Sequence, residues 1–304
     1  MDDQPRPVTR SMRALLYVLT ALTFFAGTQL FVLSEHTDAF FSWSIDPPMT
    51  AAWIGAGFWS AAIVSFWAAR QRLWVRARLP VPTILIVATL LLVATLDHID
   101  AFHGLLGAAW IEVYAVFAPI AVAIVAMQLV TPGRDPGRSE RVPASLRAVF
   151  AVHAVVFVGV GLLLFASPGA GRSIWPWDLT DLTAEAVGTW LAGIGVIAGY
   201  IAVRDDREDL PGNALAYLVL GGGSLLAVVR FAGDLDFGRP GAAVFVAFAI
   251  SVLAAGAWSA LLCLREGRYR RVLPEGGIPV ELAAAQSEPA ADVAANGTRA
   301  PAHR

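Results

Sequence analysis

The segment Ala148-Val-Phe-Ala-Val-His-Ala-Val-Val-Phe-Val-Gly-Val-Gly-Leu-Leu-Leu-Phe-Ala166 contains one ionisable side chain, that of His153. A helix that crosses the hydrocarbon core of a bilayer needs about 20 mostly apolar residues, and this segment provides that length. The whole chain has the same character, because 57% of its 304 residues are hydrophobic and 15% are charged. Soluble domains carry about 25% charged residues, so the composition predicts a membrane protein.

Apolar segments of this kind recur along the chain. They predict an all-α fold, a polytopic membrane helix bundle of about eight transmembrane helices, with lipid as the solvent of its outer surface. The expected helices cover residues 14–33, 50–69, 81–96, 108–130, 148–166, 186–203, 214–229 and 242–264.

The connections between these segments alternate in charge, which predicts the orientation. All 22 basic residues are arginine, and arginine in short loops is retained on the cytoplasmic side. The N-terminus and every second connection are rich in arginine, apart from Arg172, Arg230 and Arg239 on the other side. Both ends are therefore expected in the cytoplasm of a bacterial plasma membrane. The expected parts are a cytoplasmic segment 1–13, a four-helix half 14–130, a cytoplasmic linker 131–147, a second four-helix half 148–264 and a disordered cytoplasmic tail 265–304.

Composition and motifs also exclude several classes of protein. The net charge of −2 provides no basic field that would recruit nucleic acid. Cys263 is the single cysteine, which excludes an intrachain disulfide and any site built from several cysteines. Gly221-Gly-Gly223 lies inside an apolar run without a following Lys-Ser or Lys-Thr pair, so it is not a phosphate-binding loop.

The two halves share residues at equivalent places. A shift of the chain by 134 residues aligns Trp, Arg, Asp and Gly residues that fall at helix ends. Each half contains four helices, so the halves have the same orientation, and an axis along the membrane normal relates such repeats. The low overall identity leaves open that the halves share membrane periodicity alone. The aligned pairs are Trp43 and Trp177, Arg70 and Arg204, Asp100 and Asp234, Gly104 and Gly238, and Gly107 and Gly241.

Small residues concentrate in the second and sixth segments, which occupy equivalent places in the halves. Small side chains let helix backbones approach closely in lipid, so these helices are expected at the bundle centre. The third and seventh segments are short, which points to a transporter site unless both helices extend at their ends. The glycines expected to pack helices together are Gly55, Gly57, Gly193, Gly195 and Gly199.

Two motifs resemble those of a known group of proteins. The segment Trp175-Pro-Trp-Asp-Leu-Thr-Asp-Leu-Thr-Ala184 leads into Gly188-Thr-Trp-Leu-Ala-Gly193, and Thr95-Leu-Asp-His-Ile-Asp-Ala-Phe-His103 lies in the first half. Both are similar to segments of uncharacterised multi-pass membrane proteins from actinobacteria, over most of residues 14–264. That group has no assigned activity, so the resemblance implies the architecture and no catalytic residues.

Ionisable side chains gather at the end of the third segment. If the helix continues there, Asp97, Asp100 and His103 share one face at spacings of three residues, with His98 beside them. Carboxylates and imidazoles can hold Zn²⁺ or another divalent ion, and Glu112 in the fourth helix could complete such a site. The same residues could instead form a proton site or an ordinary solvated loop, and no specific cofactor is predicted.

Arg230 ends the seventh segment on the outer side, where arginine is unusual. A buried guanidinium group requires a carboxylate partner. Asp97, Glu112 and Asp236 are the available acids, and Arg230 with Asp236 is the candidate structural ion pair.

Three functions fit these features. A small-solute or ion transporter agrees with the repeat, the short helices and the glycine-rich centre. A membrane scaffold without catalysis agrees with the scarcity of buried charge, and a membrane-embedded metal-dependent enzyme agrees with the Asp/His group. The expected partners are the lipid bilayer and a small solute, and a polar cavity between the halves would favour transport.

Overall fold

The structure of the protein, a computed structural model, describes residues 4–269. Within that range the chain is all-helical and contains no β-strand, which confirms the predicted fold class. The predicted tail lies outside the described residues from residue 270 onwards. Three short helices, Thr37–Phe40, Trp74–Ala77 and Pro168–Ile174, lie in the connections. The long helices are α1 (Arg10–Val32), α2 (Pro48–Ala69), α3 (Val81–Asp97), α4 (Gly104–Leu129), α5 (Ala144–Ala166), α6 (Asp181–Arg204), α7 (Leu210–Arg230) and α8 (Pro240–Arg265).

Seven of these described helices are long enough and apolar enough to cross a membrane, and α3 with 17 residues is the shorter exception. For the seventh segment the structure has the extended alternative, because α7 continues beyond 214–229 at both ends and has 21 residues. Pro211 lies in its first turn, where the missing N–H would have no partner in any case.

One helix departs from regular geometry. Residues Val113–Phe117 of α4 form a π-helical turn, and Pro119 follows two residues later. Proline has no N–H to donate to the carbonyl four residues earlier. The wider turn before the proline accommodates that missing hydrogen bond, as π-turns inside α-helices commonly do.

The helices α2 and α6 form the centre of the bundle. Over 18 consecutive apolar residues of α2 and of α6, 78% and 72% of the residues are buried. The corresponding share is 28% in both α1 and α5. α1 packs along α2, α5 along α6, and α7 along α8. The two halves meet where α2 packs on α7 and where α6 packs on α3.

Glycines lie at close helix contacts. A Cβ atom at Gly55 would lie 2.7 Å from the backbone nitrogen of Phe31 on α1. One at Gly195 would lie 2.7 Å from Cγ2 of Val158 on α5. Small residues therefore let the central helices approach their neighbours closely, and at Gly55 the contact is with backbone. The corresponding distances are 3.1 Å from Gly57 to Trp190, 2.6 Å from Gly193 to Val87, and 3.4 Å from Gly199 to Ala154.

An ion network closes the end of the bundle where α1, α3, α5 and α7 begin, which we call the Arg-rich end. Asp205 ends α6 with a φ of 54°, and its carboxylate accepts the N–H of Val142 at 3.1 Å and the guanidinium of Arg147 at 3.0 Å. Arg268, after α8, lies 2.8 Å from Glu208. The charged residues between α6 and α7 thus link that connection to the one before α5 and to the segment after α8.

Glu266 also belongs to this network. Arg207 Nη1 lies 2.5 Å from its carboxylate, and Arg268 donates to the same carboxylate. Burial by itself raises the pKa of Glu266, but the two guanidinium groups outweigh burial and hold that pKa below its ordinary value of 4.5.

Candidate functional site

The Asp/His group predicted from the sequence lies at the opposite end of the bundle, where α3 ends. His98, Asp100 and His103 line one open cleft together with Trp43 and Thr180. Within residues 4–269, no three or more His, Cys, Asp or Glu side chains form a group that could hold a metal ion. The structure therefore gathers three of the five predicted residues around a cleft without assembling them into a ligand set.

His98 has a single acidic partner at this cleft. Its Nε2 lies 3.2 Å from Oε1 of Glu185, whose side chain is 12% exposed near the start of α6. Asp97 and Glu112, the two remaining predicted residues, are exposed and do not line the cleft. Sequence reasoning missed Glu185 as a site residue because it lies just outside the expected segment 186–203, although an acid beside an apolar segment is a signal that could have found it.

Arg230 lies at the end of α1 rather than beside Asp236. Its Nη1 donates to the carbonyl of Phe31 at 2.7 Å, and its Nη2 lies 3.7 Å from the carboxylate of Glu35. Asp236 pairs with Arg239 at 3.1 Å instead. A cation interacts favourably with the unpaired carbonyls at a helix C-terminus, so Arg230 joins α7 to α1 and the predicted pair with Asp236 is replaced.

The two aligned aspartates have different surroundings. Asp234 accepts the backbone N–H of Met49 at 3.1 Å and thereby caps α2 from the other half. Asp100 lines the cleft beside Thr180, whose hydroxyl accepts the N–H of Thr183 and caps α6. Helix N-termini have unpaired N–H groups; Asp234 accepts one of them at the start of α2, and Asp100 lies in a cleft beside the start of α6.

A small pocket lies between the halves, among α2, α3, α6 and α7, with a volume of about 40 Å³. Two of its hydroxyl groups already have acceptors. Ser60 donates to the carbonyl of Ala216 at 3.0 Å, and Thr83 donates to the carbonyl of Gly193 at 2.8 Å. The lining residues that carry a polar atom in the side chain are Ser60, Ser65, Thr83, Trp190, Asn213 and Tyr217.

Three side chains of this central pocket have polar atoms without a partner among the described residues. They are both amide atoms of Asn213, the hydroxyl of Tyr217 and the indole nitrogen of Trp190, and these residues are 0%, 1% and 4% exposed. A buried polar group left unpaired costs about 1–3 kcal/mol. Since a water needs roughly 10–15 Å³ of such volume, the pocket has room for a few waters or one small solute.

The pocket is closed towards the opposite end of the bundle by apolar side chains. Ile194 and Leu220 line it, and both also line an apolar cavity on their other side. Pro80 and Asn213, at the starts of α3 and α7, place its other end near the Arg-rich end. Among the described lining residues there is no charged side chain.

Sequence reasoning did not single out the central pocket. Asn213, next to the expected segment 214–229, was the available signal, because an amide at the start of a membrane helix needs a partner. Trp190 and Tyr217 provided none, since aromatic side chains are frequent in apolar helices and their partners depend on neighbouring helices.

The fold and the pocket define a helical bundle whose long helices are suited to a membrane and whose halves enclose polar groups. No protein family, curated protein or solved structure matches the chain. An inference about its function therefore rests on the geometry of the described residues.

Proposed function

We propose that the protein is a multi-pass protein of the bacterial cytoplasmic membrane with both ends in the cytoplasm. Seven apolar helices support this placement, as do large apolar side chains on the outer surface, where Phe25 is 64%, Val155 is 75% and Leu105 is 86% exposed. Extended apolar surface is rare on soluble monomers, whereas lipid covers it without penalty. The arginines at one end favour the cytoplasmic side for that end.

We also propose that the bundle consists of two four-helix repeats of the same orientation. A Cβ atom at either Gly27 or Gly55 would lie 3.0 Å from the carbonyl oxygen of the other. Gly161 and Gly188 make a similar reciprocal approach, at 2.7 and 2.5 Å. The shift of 134 residues places Gly27 on Gly161 and Gly55 on Thr189, one position after Gly188. The matching contacts of α1 with α2 and of α5 with α6 support an axis along the membrane normal.

Within this membrane the protein is proposed to transport a small uncharged polar solute through the central pocket. The observation that carries this proposal is the unpaired amide of Asn213 beside the unpaired hydroxyl of Tyr217, between the two halves. Transporters bind substrates at the interface of their repeats. An uncharged solute is favoured because a buried ion requires a paired charge, which the lining residues lack.

The two alternative functions receive less support. A scaffold requires only a solid bundle, in which unpaired polar groups around a pocket are a disadvantage. A metal-dependent enzyme requires converging ligands, whereas His98 pairs with Glu185 alone.

The transport proposal is tested by reconstituting the full chain into liposomes and measuring urea and glycerol permeation by stopped-flow light scattering. We expect faster permeation than in protein-free liposomes. Asn213→Leu keeps a similar volume but removes the amide. We expect it to reduce the protein-dependent flux about tenfold, because a hydrogen bond of about 1.4 kcal/mol corresponds to that factor.

Ser259→Ala is the matched control for this measurement. Ser259 is 0% exposed and its hydroxyl is unpaired among the described residues, as is the amide of Asn213. It does not line the pocket. The flux through the Ser259→Ala variant should therefore match that of the wild type. Wild-type flux no higher than that of protein-free liposomes would overturn transport of these solutes and favour a scaffold. Equal flux in wild type and the Asn213 variant would overturn the pocket as the path.

A further inference from the structure

A second cavity lies near the opposite end of the bundle, between α5, α6, α7 and α8, and has a volume of about 130 Å³. Apart from Ser224 and the indole rings of Trp53 and Trp175, its lining is entirely apolar. An apolar cavity of about 150 Å³ in another protein stays dry and binds benzene. Water is therefore a poor occupant for this cavity, and an apolar group is a good one. Its apolar lining includes Phe157, Leu191, Val244, Phe245, Phe248 and Val252.

The cavity opens sideways between α5 and α8. These two helices make few contacts with each other, whereas α5 packs along α6 and α8 packs along α7. Ile174 and Val244 line the cavity and are 49% and 53% exposed, so they mark its edge. In the proposed membrane, an opening in this direction faces lipid acyl chains rather than water.

The sequence position equivalent to Val244 in the first half carries a large aromatic side chain. The shift of 134 residues aligns Trp110 with Val244. Trp110 is 9% exposed, its ring lies 5.1 Å from that of Trp43 and 5.5 Å from that of Phe41, and its N–H donates to Thr95 at 3.0 Å. The second half has the smaller valine at this position, and that valine lines the cavity.

The charges near the cavity are already paired. Arg239 donates to the carbonyl of Trp175 and lies 3.1 Å from the carboxylate of Asp178. Arg172 lies 3.3 Å from the carboxylate of Asp181. Among the described residues this edge therefore offers no unpaired cation to an anionic head group, and recognition depends on the apolar part of the ligand.

We propose that this cavity binds a segment of one acyl chain of a phospholipid from the surrounding bilayer. The chain enters between α5 and α8 and fills the space beside Val244. Ile194 and Leu220 separate the chain from the central pocket. This inference rests on the proposed membrane location and not on solute transport.

The test is the number of lipid molecules that the full chain retains after purification in detergent with dioleoyl phosphatidylcholine, measured by native mass spectrometry. We expect the wild type to retain one more tightly held lipid per chain than V244W, in which an indole ring fills the cavity. V122W is the matched control, because Val122 is 54% exposed on α4 and does not line the cavity. It should retain the wild-type number.

A second variant decides the result if V244W does not fold. Ala249 lines the same cavity from α8 and is 7% exposed, so A249F should also lose one lipid. A wild type without any tightly held lipid would overturn the proposal, and so would equal retention in the wild type and a folded cavity-filling variant. No solute takes part in this measurement, so a wild type that retains lipid but shows no flux contradicts transport and leaves lipid binding supported.

Discussion

Gly161 and Gly188 meet backbone to backbone where α5 packs on α6. A Cβ atom at Gly188 would lie 2.5 Å from the carbonyl oxygen of Gly161, and one at Gly161 would lie 2.7 Å from the carbonyl oxygen of Gly188. The atoms in contact belong to the main chain, so no rotamer change can relieve a clash. The approach of the two helices therefore depends on the absence of side chains at both positions.

Gly161→Ala should destabilise the bundle by about 1–3 kcal/mol, as overpacking of a close contact does. Gly159→Ala on the same helix has nothing within 4 Å of the added Cβ. It should stabilise the helix slightly, because glycine inside a helix is about 0.5–1 kcal/mol less favourable than alanine. Thermal unfolding in detergent, followed by circular dichroism, compares the two variants, and equal midpoints would contradict the packing argument.

The contribution of Glu266 to stability should depend on pH. Because Arg268 and Arg207 hold its pKa in the folded protein below 4.5, its contribution is fully present above 4.5 and is lost as pH falls through the lowered folded value. We expect Glu266→Gln to lower the unfolding midpoint at pH 7 and to have a smaller effect at pH 3. Asp178→Asn, at a carboxylate that is 90% exposed, serves as the control. A constant difference between wild type and Glu266→Gln at both pH values would contradict the linkage.

The orientation predicts which loops can be labelled from outside. Gly137 and Gly233 both lie in connections where an added Cβ would have nothing within 4 Å. Each is replaced by cysteine in a Cys263→Ala background, Cys263 being 1% exposed. With a membrane-impermeant maleimide on intact cells, we expect labelling of Gly233→Cys and labelling of Gly137→Cys only after lysis. The reverse pattern would invert the topology, and labelling of both sites in intact cells would contradict the placement of the termini.

The helices were predictable because their signals are local. Every apolar segment inferred from the sequence lies within or largely overlaps a helix of the structure. The ends were less predictable, since a cap can come from far away in the chain. Asp234, which caps α2 through Met49, is 185 residues away from it in sequence.

The candidate site was less accessible to sequence reasoning. His98, Asp100 and His103 are neighbours in sequence, so their shared cleft could be anticipated. The partner of His98, Glu185, is on another helix. Arg230 pairs with Glu35 rather than with Asp236, which is nearer in sequence. These pairings depend on how α3 meets α6 and how α7 meets α1, which no local pattern encodes.

The sequence by itself determined that the chain forms long apolar helices separated by charged connections, because length, hydropathy and charge are properties of neighbouring residues. Only the tertiary structure decided which polar groups would remain unpaired inside the bundle. Asn213 and Tyr217 lie one turn apart on α7, but whether their polar atoms find partners depends on α2, α3 and α6. Burial and pairing arise from contacts between distant residues, so the pocket exists only once the two halves have packed together.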